Sequence, residues 1–107
     1  MRHVLIIEPH QEVAAAFERV IASADYGTIV RPHVALLSDL GVTPASIVLR
    51  IGHADISTFP RERPPIVAIA SNDEEVAEAG RLHCEVVLRA PGEIKRLREA
   101  LRSLAAA

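Results

Sequence analysis

The sequence predicts an α/β fold, a five-stranded parallel sheet doubly wound by helices, on three observations. Short apolar runs rich in β-branched residues stop abruptly at polar ones, as strands buried on both faces do. The segments between several of them repeat apolar residues at spacings of three and four, the period of a helix packed along one side. Strand and helix patterns alternate, and the right-handed crossover rule turns that alternation into a parallel sheet with helices on both faces.

Val4 to Ile7 reads as the first strand, and Glu8-Pro9-His10 as the turn that leaves it. From Gln11 to Ala24, Val13, Phe17, Val20, Ile21 and Ala24 share one helical face, and Gly27 suits the left-handed position after the helix end. Thr28 to Arg31 is the second strand. Val34 to Leu40 is a short helix stopped by Gly41. The third strand starts at Ser46 or Ile47 and delivers Arg50 to its carboxyl end, where open α/β sheets place their function.

Pro60, Pro64 and Pro65 allow only a turn or two of helix around Ala54 to Phe59, which predicts a shortened third crossover. Pro65 to Ala70 is the fourth strand. Ser71 or Asn72 caps a helix that Glu74 and Glu75 begin at its dipole-favoured end and that runs to Leu82. Glu85 to Arg89 is the fifth strand, closed by Ala90-Pro91-Gly92. The last helix, from Glu93 to Leu104, stripes Ile94, Leu97, Leu101 and Leu104 along one side; the stripe suits burial against the sheet better than a dimer seam.

With 107 residues, half of them hydrophobic, the chain has apolar material for one core and no second. Residues 1–104 are assigned to one domain, and Ala105-Ala106-Ala107 to a tail, linker or frayed helix end. A net charge of -2 and 3% aromatic residues argue against nucleic acid, which needs basic surface and stacking platforms. The basic residues Lys95, Arg96, Arg98 and Arg102 belong to one helix and read as its solvated face. The apolar run at the N-terminus is broken by Glu8 and Pro9, which fits neither a signal peptide nor a membrane span, so no membrane partner is expected. The lone Cys84 excludes an internal disulfide framework and suits a reducing cytosol, giving a cytoplasmic expectation. Beside an apolar run it reads as a small buried hydrophobe, with a reactive thiol as the alternative.

The order of elements, together with VLIIEPHQEV, ASIVLRIGHAD, IVAIAS and VVLRAPGEI, resembles the receiver domain of two-component response regulators, the CheY-like family. The resemblance covers essentially the whole chain and implies a flavodoxin-like three-layer sandwich. It also implies a phosphoacceptor pocket, here with its chemistry removed. Glu8 keeps the first place of the acidic pair that helps hold Mg2+, and Pro9 fills the second. Arg50 takes the place of the phosphorylated aspartate. Ser71 keeps the hydroxyl that would contact a phosphoryl oxygen, Ala90 replaces the lysine before Pro91, and Val87 stands where an aromatic switch residue is expected.

Mg2+ needs near-octahedral oxygen ligands, which one carboxylate facing a guanidinium does not supply. Acyl phosphate formation needs a carboxylate nucleophile, which Arg50 lacks. Asp55 falls on the following loop rather than at the strand end and makes a poor acceptor. Arg50 is expected to bond Glu8 in a charge-assisted pair; the alternative is a guanidinium directed into solvent.

His3, His10, His33, His53 and His83 show no metal-ligand spacing, although His10 and His53 follow strands whose ends should be adjacent. No glycine pattern cradles phosphate, and Ser71 lacks a nucleophile-elbow context. The expectation is therefore a pseudo-receiver without enzymatic activity, metal or cofactor, acting in a phosphorelay-type pathway through protein–protein interaction. Its partner would be a histidine kinase, an output domain or a second copy forming a homodimer. The interaction face expected from the resemblance carries Val87, Arg89, Lys95, Arg98 and Arg102. Two other classes compete: a sensor of a small anion such as a nucleotide second messenger, held by the Arg and His rim, and a small enzyme of the same architecture, for which no nucleophile, base and oxyanion donor converge.

Overall fold

The computed structural model describes residues 2–22, 26–33, 37–53 and 62–106. Five strands, β1 (Arg2–Ile7), β2 (Tyr26–Arg31), β3 (Ser46–Arg50), β4 (Ile66–Ala70) and β5 (Val86–Arg89), form one sheet of order β2-β1-β3-β4-β5. Every pairing is parallel. The chain thus makes the doubly wound, flavodoxin-like sheet that its alternating pattern predicts, with β1 and β3 side by side at the point where the strand order reverses.

The pleat sorts the strand residues between two apolar layers. Val4, Ile6, Val48, Val67, Ile69 and Leu88 face helix α1 (Gln11–Ile21) and helix α3 (Leu97–Ala106), meeting Phe17, Ile21, Leu97 and Leu101. Leu5, Ile7, Ile47, Leu49, Ile66 and Ala68 face the other way, toward Ala79 of helix α2 (Asp73–Arg81) and Leu40. A strand buried on both sides has no polar position to spare, which is why β1, β3 and β4 read as unbroken apolar runs. The α3 stripe of Leu97 and Leu101 is buried on its own sheet, as expected.

Several local assignments shift. Gly27 lies inside β2, paired with His3, rather than after a helix; α1 stops at Ile21, where the Ala22 N–H still reaches the Glu18 carbonyl. The second crossover shows a 3-10 turn at Leu37–Leu40 in place of the later part of the predicted helix, ended by Gly41 at φ +74°. The expected start of that helix, Val34 to Leu36, lies outside the described residues. So does the proposed turn of helix from Ala54 to Phe59, and with it the shortened third crossover. A 3-10 turn at Ile94–Arg96 leads into α3, which continues past Leu104 to Ala106. β4 begins at Ile66, one residue after Pro65, which has no N–H to give to a ladder.

Helix α2 is capped at both ends. Asn72 accepts from the Glu75 N–H at 2.8 Å, which decides between the two candidate caps. At its other end the His83 N–H bonds the Gly80 carbonyl and the Cys84 N–H bonds the Ala79 carbonyl, the paired bonds of a Schellman ending. His83 holds the left-handed position this ending needs, at φ 58°, where a Cβ is crowded. His83→Gly is therefore expected to raise stability by about 1 kcal/mol. Urea denaturation would read this as a higher midpoint at unchanged slope; an unchanged or lower midpoint would contradict it.

Candidate functional site at the carboxyl ends of β1 and β3

The register pairs Ile7 with Leu49, so the next residues, Glu8 and Arg50, leave adjacent strands side by side. The Glu8 N–H continues the sheet by donating to the Arg31 carbonyl at 2.9 Å, which fixes its backbone. Its carboxylate, fully buried, accepts from Arg50 Nε at 2.7 Å and from Arg50 Nη2 at 2.6 Å, a bidentate fork. The backbone N–H of His10 adds a third bond at 3.3 Å. The Arg50 side chain retains 21% exposure, so the pair is sealed on the Glu8 side and open on the other.

Burial alone would raise the Glu8 carboxyl; the Arg50 hydrogen bonds, the His10 N–H and the positive charge of Arg50 outweigh it and hold Glu8 below its ordinary value. The hydrogen bond to Glu8 raises Arg50 further, against the desolvation that opposes it, with Glu75 helping through space.

Glu75 belongs to this site although the strand patterns do not announce it. One carboxylate oxygen accepts the Ser71 N–H at 2.7 Å, and the other lies 3.4 Å from where a Cβ on Gly52 would sit. Gly52 adopts φ +87° two residues after Arg50, within the turn that the His53 N–H closes onto the Arg50 carbonyl at 3.2 Å. The clue in sequence was the acid three residues after Asn72, a capping-box spacing that here reaches back to Ser71 instead of to the cap itself. His10 and His53 meet at the rim, ring centroids 6.0 Å apart and edge to face, as the adjacency of their strands implies.

Arg50, Ser71 and Ala90 line one groove beside α1, while Pro9 lines a second depression that shares Glu12 and Val13 with it. The residues expected to share an interaction face divide. Val87 packs half-buried on the α2 side of the sheet. Arg89 forms an ion pair with Asp73 at the start of α2. Arg98 turns the other way and donates to the carbonyls of Val20 at 3.1 Å and Ala22 at 3.3 Å, closing the end of α1. Lys95 and Arg102 are exposed. Cys84 packs at the edge of the α2-side core, and burial pushes its thiol up to about 11, which suits a small hydrophobe and not a nucleophile.

In fold the chain is similar to many solved receiver domains. The response regulator receiver domain of Bermanella marisrubri superposes with a TM-score of 0.78 at 19% identity, over 96% of this chain and 97% of that one. The receiver protein of Burkholderia phymatum gives 0.80 at 13% identity, over 99% and 96%. Full-length FixJ of B. japonicum gives 0.74 at 16% identity, over 98% of this chain and 58% of that one. The sequence matches no protein-family model and no curated protein. These likenesses establish the receiver fold.

The Mg2+ that such a fold implies does not fit these residues. Both Glu8 oxygens are occupied by Arg50, Pro9 offers no ligand, and the guanidinium brings a positive charge to the place a cation would need. Among the described residues no three His, Cys, Asp or Glu side chains come together as a ligand set. Arg50 and Arg89 are both already matched by acids, Arg50 by Glu8 and Arg89 by Asp73.

Because Glu8 titrates below the ordinary value of 4.5, its ionised form stabilises the fold fully above that pH. The contribution drains away as pH falls through the lower native value. Glu8→Gln strands the Arg50 charge and is expected to cost about 3 kcal/mol at pH 7. The gap to wild type should shrink below pH 4.5. Chemical denaturation across pH checks this, and parallel stability curves for the two proteins would refute the pair.

Proposed function

We propose that this chain is a receiver-like regulatory module of two-component signalling that works without being phosphorylated, through contact with another protein. The observation that carries the reading is the Arg50–Glu8 fork at the junction of β1 and β3. An acyl phosphate requires a carboxylate to attack phosphorus and positive charge to neutralise the transferred group. Arg50 contributes charge but no nucleophile, and it consumes the acid that would help hold metal. What remains is a rigid sheet with its helices, whose usable property is surface.

A histidine kinase, an output domain or a second copy of the chain fits as partner. The FixJ comparison supports the output-domain case, since that full-length chain extends well beyond the part this fold covers. The surface for contact is the end of β5 with the exposed Lys95 and Arg102, together with the rim around Arg50. Among the described residues no helix is long and apolar enough to cross a membrane.

Incubation with acetyl phosphate and Mg2+, followed by intact-mass measurement, is expected to leave the mass unchanged. A stable gain of one phosphoryl group would overturn the proposal.

A further inference from the structure

Beside Arg50 a groove of about 350 Å3 opens between α1 and the carboxyl ends of β4 and β5. Its walls are mostly apolar, with Val13 and Phe17 from α1, Ile69 from β4, and Ile94 beyond β5. Two side chains that end at Cβ, Ala16 and Ala90, keep it open on opposite walls. The volume lies within the range of about 300–1,000 Å3 usual for small-molecule sites, and apolar walls with a few polar groups at one end are their usual make-up.

Charge narrows the occupant. Among the described residues Arg50 is the only cation lining the groove, and Glu8 has already matched it in a two-bond fork. Glu12 adds a negative charge to the wall, and Glu75 acts on Arg50 from behind Ser71. A phosphorylated or carboxylated ligand would meet no unneutralised positive charge and would face these carboxylates. We infer that the groove binds an uncharged, largely apolar small molecule, its body on Val13, Phe17 and Ile94 and any hydrogen-bonding atom toward Arg50 and Ser71. In a module without phosphoryl input such a ligand would be the input. The binding itself does not depend on that reading, and phosphorylation of the protein would leave it standing.

The test compares two fluorescent probes that share a body and differ in charge, N-phenyl-1-naphthylamine and 8-anilinonaphthalene-1-sulfonate, titrated into the intact chain. The neutral probe is expected to give a saturable enhancement, and the sulfonate to bind at least about tenfold more weakly, the size of one unfavourable charge at close range. Ala16→Phe and, on the other wall, Ala90→Leu are each expected to abolish the enhancement while far-UV circular dichroism and Tm show a folded protein; two variants guard against one failing to fold. The inference is overturned by a wild type that gives no saturable enhancement, by a folded filling variant that keeps it, or by a sulfonate that binds as well as the neutral probe.

Discussion

The fork between Glu8 and Arg50 is the constraint on which the site depends. It joins the two central strands just beyond the last residues they pair with each other, Ile7 and Leu49. A carboxylate with no exposed surface is stable there only because a guanidinium faces it with two donors in matching geometry. The net stability of such a pair is small, since desolvation offsets attraction; its effect is on what else can occupy the space. With both acceptor oxygens taken and a cation in place, Glu8 does not suit a metal ion, and Arg50 offers no carboxylate to attack phosphorus.

The surroundings reinforce that arrangement. Gly52 turns the chain two residues after Arg50, and Glu75 accepts the Ser71 N–H at the end of β4. Asp73 occupies Arg89 in the same way at the end of β5. Arg50 and Arg89, at the ends of β3 and β5, are thus each matched by an acid drawn from a neighbouring element. One open feature beside these pairs is largely apolar, the groove walled by α1 next to Arg50.

Much of this was legible in the chain because the signals were strong ones. Strands buried on both sides give nearly unbroken apolar runs; β3 and β4 fall within a residue of them, and β1 starts two residues earlier, at Arg2. Parallel pairing then places the residues after β1 and β3 together, which is why Glu8 and Arg50 could be matched at a separation of 42 residues. Local signals were weaker. Gly27 lies next to an Asp-Tyr pair that looks like a helix stop, yet sheet pairing with His3 draws it into β2, tertiary context overriding a turn propensity. In the sequence Glu75 signals only a favourable charge at a helix start, because its second role depends on where the Ser71 N–H points. Arg98 shares α3 with Arg102, just after the turn that carries Lys95, but the rotation of α3 directs it at α1, and sequence spacing alone does not give that rotation.

The account rests on Glu8 and Arg50 being energetically coupled, and a double-mutant cycle on Glu8→Met and Arg50→Met measures that coupling. Each single substitution leaves one buried charge without its partner, while the double replaces both with apolar groups of similar length. The expected coupling is about 2 kcal/mol, with the double variant less destabilised than the two singles combined. Losses that add to within about 0.5 kcal/mol would show two independent side chains, and the pair would have no part in shaping the site.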